Sequence, residues 1–167
     1  MPGNAEPTAY CPPSSVMAIT EAQPFIAALW AEIEPRATDA GFARLSPLEK
    51  RIATIESFAY RVRRGGFAEY FAESESGHAR DALSALQQIG APQTASMLER
   101  GMGIFGIDGP PHDRAQRQAQ MTVLGEGARR FWSALDALFM RAPEDLEALL
   151  SANARSEIDS HCNQQPR

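Results

Sequence analysis

Cysteine and histidine are scarce in this chain of 167 residues. The two cysteines, Cys11 and Cys162, lie near opposite ends, and two are too few for a disulfide framework, so we expect free thiols. The three histidines, His78, His112 and His161, have no spacing that would bring several ligands onto one metal ion. The sequence therefore predicts a fold without disulfides, and no metal or other cofactor.

Long apolar runs and an excess of basic charge are also absent. No run approaches the roughly 20 apolar residues of a membrane span. The first fifteen residues are rich in proline and lack the apolar core of a signal peptide, so we expect a cytoplasmic protein without membrane contact. The formal charge is −5, from 21 acidic and 16 basic residues. A protein that binds nucleic acid directly usually has an excess of basic residues, which this chain does not have. Its acidic charge is compatible with a basic protein partner.

Familiar catalytic motifs are missing as well. Gly101, Gly103 and Gly106 come late in a helical pattern, whereas a phosphate-binding loop follows a strand. No serine has the surroundings of a nucleophile elbow. We therefore predict that the chain is not an enzyme.

Apolar residues recur with helical spacing along most of the chain, and no stretch alternates in the manner of a strand. We predict an all-α fold, a single compact bundle of about seven or eight helices without a sheet. These include one helix around residues 112–124 and a separate one over 131–139. We expect one helical domain over residues 19–155, with a flexible leader at 1–18 and a flexible tail at 156–167.

The helix that follows Ser46 has the clearest signature. Ser46 and Glu49 have the spacing of a capping box, and Pro47 suits the first helical position. Gly65 is predicted to end this helix in the left-handed conformation, which glycine adopts without a steric penalty. Between these ends, the apolar face consists of Leu48, Ile52, Ile55, Ala59 and Val62.

The turn Gly65-Gly66-Phe67 is the most distinctive local feature of the sequence. We expect Gly65 to end one helix, Gly66 to let two backbones approach closely, and Phe67 to enter the core. Phe71 follows four residues later, within a short aromatic helix. The turn is therefore predicted to be a structural motif that presents its neighbours to solvent.

Acidic residues cluster beside this turn at Glu69, Glu73 and Glu75. On a helix, Glu69 and Glu73 face the same way, and two like charges at that spacing cost a few tenths of a kcal/mol. The cluster fits a solvated surface with arginines nearby, an acidic contact face for a basic partner, or a pair of catalytic carboxylates. Four arginines of the later helices are expected to pair with surface carboxylates: Arg114, Arg117, Arg129 and Arg130.

The residues around the turn belong to a longer pattern. It comprises Arg64-Gly65-Gly66-Phe67-Ala68-Glu69-Tyr70-Phe71-Ala72-Glu73-Ser74, then Gly77, Ala79, Leu83 and Ile89-Gly90-Ala91, and later Leu135-Asp136 with Phe139. Over residues 45–150 this pattern resembles the bacterial, all-helical DNA-mimic-protein family, formerly a family of unknown function. The family pattern is close to Asn-Gly-Gly-Phe-x-Gln-Phe-Phe-x-Asn-x-x-Gly. This chain has Arg64, Glu69 and Glu73 where that pattern has Asn, Gln and Asn.

The resemblance implies that the chain occupies a DNA-binding protein by placing carboxylates where DNA phosphates would lie. A duplex carries one charge per ~1.7 Å of its axis, so such a surface needs its acids separated from the arginines. We accordingly predict a protein partner that contacts Glu69, Glu73 and Glu75. The structural motif behind that surface comprises Gly65, Gly66, Phe67 and Phe71.

Two other functions remain open at this stage. One is a helical homo-oligomer, such as a homodimer, or an immunity-type partner of a toxin, in which Tyr70 and Trp30 would contribute to an exposed apolar patch. The other is an enzyme that uses the carboxylate pair with an arginine in a concave pocket.

Overall fold

The computed structural model describes residues 10–37, 39–73, 78–141 and 143–162. Within these residues the regular structure is helical and contains no strand, so the prediction of an all-α fold is confirmed. None of the described helices combines the length and the apolar character needed to cross a membrane. The elements are α1 (Ser14–Met17), α2 (Ala22–Ala37), a 3-10 helix (Asp39–Arg44), α3 (Pro47–Glu73), α4 (His78–Gln88), α5 (Pro92–Gly103), α6 (Arg114–Phe139) and α7 (Leu146–Cys162).

The chain divides into two units, each with more contacts between α-carbons inside it than to the other, and the single domain expected over residues 19–155 stays a prediction. The terminal unit joins the residues up to Ala53 to those from Leu146 onward. The central unit runs from Thr54 to Asp145. The turn and most of the quoted pattern therefore belong to the central unit.

The terminal unit packs α2 against α7. Helix α7 buries every fourth residue, and α2 buries one apolar face: Leu146, Leu150, Ala154 and Ile158 on α7, and Phe25, Ile26, Leu29 and Ile33 on α2. Residues 156–162, where we expected a flexible tail, are helical because Ile158 extends the buried row of α7. Helix α1 lies within the expected leader and buries Val16, while residues 1–9 are outside the described residues.

The capping box at the start of α3 is confirmed. The Ser46 amide donates to Glu49 Oε2 over 2.8 Å, and the Glu49 amide donates to Ser46 Oγ over 3.3 Å. Arg36 contacts the other oxygen of the same carboxylate, with 2.6 Å between Nη2 and Oε1. The buried Glu49 carboxylate therefore accepts a hydrogen bond at Oε2 and is paired with a guanidinium charge at Oε1, which makes its burial tolerable.

An aromatic cluster forms the core of the central unit. Phe71 lies at its middle, with ring centroids 5.3 Å from Phe105, 5.4 Å from Tyr70 and 5.5 Å from Trp132. Most of the ring pairs meet edge to face or tilted, as the quadrupoles of aromatic rings favour. The cluster consists of Phe58, Phe67, Tyr70, Phe71, Phe105, Trp132 and Phe139.

Two of the described helices are interrupted at a glycine. Helix α3 has non-helical angles at Gly66, and α6 has them at Gly125. The two helices that we predicted around 112–124 and over 131–139 are the two sides of the break at Gly125. Each break leaves a helical segment on both sides, so each helix changes direction without a loop.

Candidate functional site

The turn between the two segments of α3 is built on Gly66. Its φ of 77° and ψ of −177° lie in a region that is essentially restricted to glycine. The prediction that Gly65 is the left-handed residue is wrong, because Gly65 keeps helical angles. Either glycine could adopt the angles of the turn. Gly66 is the one that packs against Asp136, and a Cβ added to it would lie 2.4 Å from Oδ2 of that carboxylate.

Asp136 of α6 caps the helical segment that begins after the turn. The Phe67 amide donates a hydrogen bond to Asp136 Oδ1 over 2.7 Å, so one otherwise unpaired amide of a helix start has a partner. Leu135 and Phe139, on either side of Asp136 in the sequence pattern, are buried. The two separate parts of the pattern, Gly66-Phe67 and Leu135-Asp136 with Phe139, therefore meet in one contact.

The Asp136 carboxyl at this turn has a pKa that differs from its ordinary value. Burial raises its pKa, and the hydrogen bond from Phe67 lowers it by less. The folded state therefore retains the proton of Asp136 to a higher pH than the unfolded state does. The stability that this group contributes is complete below the unfolded pKa, which is about 3.9, and is lost as the pH rises through the raised folded pKa.

We expect Asp136→Asn to become more stable relative to the wild type as the pH increases above about 4. The amide oxygen still accepts from Phe67, and no charge is buried at any pH. Urea denaturation of both proteins over a pH series measures this difference. Asp136→Ala is the control, because it removes the cap and should cost about 1 kcal/mol even at neutral pH. A stability difference between Asn and wild type that stays constant from acid to neutral pH would contradict the assignment.

The acidic residues beside the turn are engaged in ion pairs. Arg64 Nε lies 2.9 Å from Glu69 Oε1. The hydrogen bond that Arg64 donates to the Tyr60 hydroxyl and the charge of Glu69 raise the pKa of Arg64. Arg114 Nη2 donates to both carboxylate oxygens of Glu73, each over 2.8 Å. Both pairs are largely solvent-exposed. Glu75, the third predicted contact residue, lies outside the described residues.

The first turns of α6 hold the end of α3. Arg117 donates to the carbonyl oxygens of Phe71, Pro111 and His112 over 2.5, 2.8 and 3.1 Å. The expectation that Arg117 lies at the surface is wrong, because its side chain is 1% exposed. Burial lowers its pKa. Main-chain carbonyls supply the acceptors that make this burial possible, and no sequence signal marks them.

Tyr70 contributes to the core and not to an exposed patch. It is 2% exposed, and its hydroxyl is buried without a hydrogen-bond partner in the described part of the chain. Burial raises the pKa of its phenol. Trp30 is half-buried in the terminal unit. The two aromatic residues that the oligomer hypothesis singled out therefore do not form one exposed surface.

Acidic and basic residues are distributed differently in the two units. Among its described residues the central unit has eleven acids and ten bases, whereas the terminal unit has eight acids and five bases. Several acids of the central unit also cap helices: Asp113 accepts from the Gln116 amide, and Glu144 accepts from the amides of Gln93 and Thr94. The excess of negative charge in the described residues therefore lies mainly in the terminal unit.

The described residues of the terminal unit line a cavity of about 130 Å³ beside the start of α3. Its walls are mostly apolar, and the buried hydroxyl of Tyr10, at its edge, has no hydrogen-bond partner among the described residues. A cavity of this size has room for a few water molecules. Among the described residues, no three side chains of His, Cys, Asp or Glu are grouped so as to hold a metal ion.

Comparison with known proteins supplies one match. A family model described as DMP19-like protein matches residues 43–157. Comparison with curated proteins and with solved structures gives no match. The matched range contains the turn, the residues of its ion pairs and the Asp136 cap.

Proposed function

The chain belongs to the DMP19-like protein family, and on that premise we propose a non-enzymatic protein that occupies a basic DNA-binding partner through an acidic surface. The observation that carries the proposal is the family match over residues 43–157. The formal charge of −5, most of which lies in the terminal unit among the described residues, supports the long-range attraction of a basic partner. We place this activity in the cytoplasm.

We propose that Glu69, Glu73 and Glu75 contact the partner. Two of these carboxylates pair with Arg64 and Arg114 in the free chain, so partner arginines must replace them. Exposed ion pairs of this kind contribute about 0–1 kcal/mol each. The exchange is therefore inexpensive, and a partner that supplies several arginines at once can drive it.

The spacing of these carboxylates limits how much of a duplex they imitate. Residues four apart on a helix lie about 6 Å apart along its axis, whereas each DNA strand has a phosphate every ~3.4 Å. Glu69 and Glu73 thus present about half the charge density of one strand. We therefore propose a local contact with a few arginines of the partner, and not a footprint as long as a DNA-binding site.

A DNA column tests the proposal with native partners. Proteins from the cell that carries the gene are bound to immobilised duplex DNA at about 50 mM salt, and the purified chain is then passed over the column. We expect it to elute at least one DNA-binding protein as a complex with the chain, because the acidic surface competes with the phosphates. If a large excess of the chain elutes no more DNA-binding protein than buffer alone does, the proposed function is wrong.

The triple variant Glu69→Gln, Glu73→Gln and Glu75→Gln tests the contact residues. Loss of up to three ion pairs, each worth up to about 1 kcal/mol, should weaken binding of the eluted protein about ten- to a hundredfold. The matched control removes three exposed acids of the terminal unit and so changes the net charge equally: Glu32→Gln, Glu34→Gln and Asp159→Asn. Titration by fluorescence anisotropy measures both. Equal weakening by the two triple variants would show that only net charge matters.

A further inference from the structure

The two sides of the break in α6 are held in different ways. After Gly125 the helix buries four apolar residues: Ala128, Trp132, Leu135 and Phe139. Over residues 114–124 the one fully buried residue is Arg117, and most of the others are exposed. Val123 is even 86% exposed. Residues 114–124, called the arm from here on, are thus a helical segment with little apolar anchorage.

The contacts that dock the arm are mainly polar. Besides Arg117, Gln118 Nε2 donates to the Ala72 carbonyl over 3.4 Å, and Gln120 Nε2 donates to the Phe105 carbonyl over 2.8 Å. Arg114 adds the paired hydrogen bonds to Glu73. Most residues of the arm are already exposed, so water can replace these hydrogen-bond partners when the arm leaves. Undocking separates Arg117 from the carbonyl oxygens of Phe71, Pro111 and His112.

Gly125 supplies a joint between the arm and the rest of α6. Its φ of 65° and ψ of −150° leave the helical region, and an added Cβ would meet nothing within 4 Å. At Gly66, by contrast, the backbone is enclosed by Asp136. Gly125 therefore has both the conformational freedom and the free space that a hinge needs.

We infer that the arm swings about Gly125, and that its docked position masks Glu73 through Arg114. The inference rests on the proposed function for its consequence: an arm that swings away releases the Glu73 carboxylate for arginines of the partner. The docked arm is then an autoinhibitory contact within the fold. Binding of a basic partner and docking of the arm compete for the same carboxylate.

Hydrogen exchange of the full-length chain tests the hinge without any partner. We expect amides of residues 114–124 to exchange at least about tenfold faster than those of residues 128–139 of the same helix. The double variant Gln118→Ala with Gln120→Ala removes two docking contacts and should raise the exchange rate of the arm severalfold further. Gln116→Ala, on the exposed face of the arm, is the control and should leave that rate unchanged. Equal protection on both sides of Gly125 would overturn the inference.

Binding of an arginine-rich peptide of about 20 residues tests the masking. The double variant Gln118→Ala with Gln120→Ala changes no charge. We expect it to bind the peptide severalfold more tightly at about 50 mM salt, because a loosened arm leaves Glu73 free more often. Arg114→Gln should do the same, and more so than Arg129→Gln, which frees Glu126 from an exposed ion pair with the same change of net charge. Equal effects of the two arginine variants would overturn the masking.

The two experiments separate failure of the hinge from failure of the proposed function. A mobile arm in a chain whose variants bind the peptide no more tightly than the wild type overturns the masking and leaves the hinge standing. The opposite result is also informative. If the wild-type chain elutes no protein from the DNA column, but the variants bind the peptide more tightly as described, the proposed partner is contradicted and the masking is supported.

Discussion

Replacing Gly66 with alanine is expected to lower the free energy of unfolding by about 3 kcal/mol or more. Backbone angles of 77° and −177° cost a residue other than glycine roughly 1–3 kcal/mol. The new Cβ would also lie 2.4 Å from Asp136 Oδ2, so the carboxylate that caps Phe67 has to move. Loss of that cap adds about 1 kcal/mol. Equilibrium denaturation in urea measures the sum.

Gly127→Ala is the matched control for this substitution. Gly127 lies in α6 with helical angles, and an added Cβ meets nothing within 4 Å. Alanine there should increase the free energy of unfolding by about 0.5–1 kcal/mol, because it restricts the unfolded chain and favours the helix. Two glycine-to-alanine changes are thus expected to have opposite signs. A Gly66→Ala protein as stable as the wild type would show that the turn does not have the geometry described.

Replacing Trp132 with alanine is expected to lower the free energy of unfolding by about 3–5 kcal/mol. The indole is completely buried, with ring centroids 5.5 Å from both Phe71 and Phe105. Its Nε1 donates to the Gly101 carbonyl over 3.0 Å, so the substitution also leaves a buried acceptor without its partner. The cavity would lie against Phe71, the ring at the middle of the aromatic cluster.

Val123→Ala serves as the comparison for Trp132, because both are apolar residues of α6. Val123 is exposed, so its truncation should change the free energy of unfolding by no more than about 0.5 kcal/mol. Thermal and urea denaturation of the two variants should therefore differ strongly. Similar losses for the two would mean that Trp132 is not part of the buried core.

The sequence predicts the local parts of the fold well. Ser46 and Glu49 form their capping box because both partners lie within one helical turn, and such signals need no tertiary information. The position of the helix break is harder, since Gly65 and Gly66 are equally permissive as residues. The contact that distinguishes them comes from Asp136, which caps Phe67 and packs against Gly66 but lies 69 positions from Phe67 in sequence. In α6 the sequence predicts helix on both sides of Gly125, around 112–124 and over 131–139, but not that the helix resumes directly after the break.

The candidate site shows the same division between local and distant information. The spacing of Glu69 and Glu73 correctly indicates that both follow the turn on one helical segment. The ion-pair partners of these two residues are harder to predict from the sequence. Arg64 is close in sequence to Glu69, but Arg114 is 41 residues from Glu73. Arg117 is the clearest miss, because a buried arginine is satisfied here by main-chain carbonyls that no side-chain pattern reveals.

Displacement of duplex DNA from its binding protein is the most direct test of the proposed function. The DNA-binding protein that the chain elutes from the column is mixed with fluorescein-labelled duplex DNA at about 50 mM salt, and the chain is titrated into the complex. The anisotropy should fall to the value of free DNA. An anisotropy that stays at the bound value, or rises as the chain joins the complex, would contradict an acidic protein that occupies the DNA-binding surface.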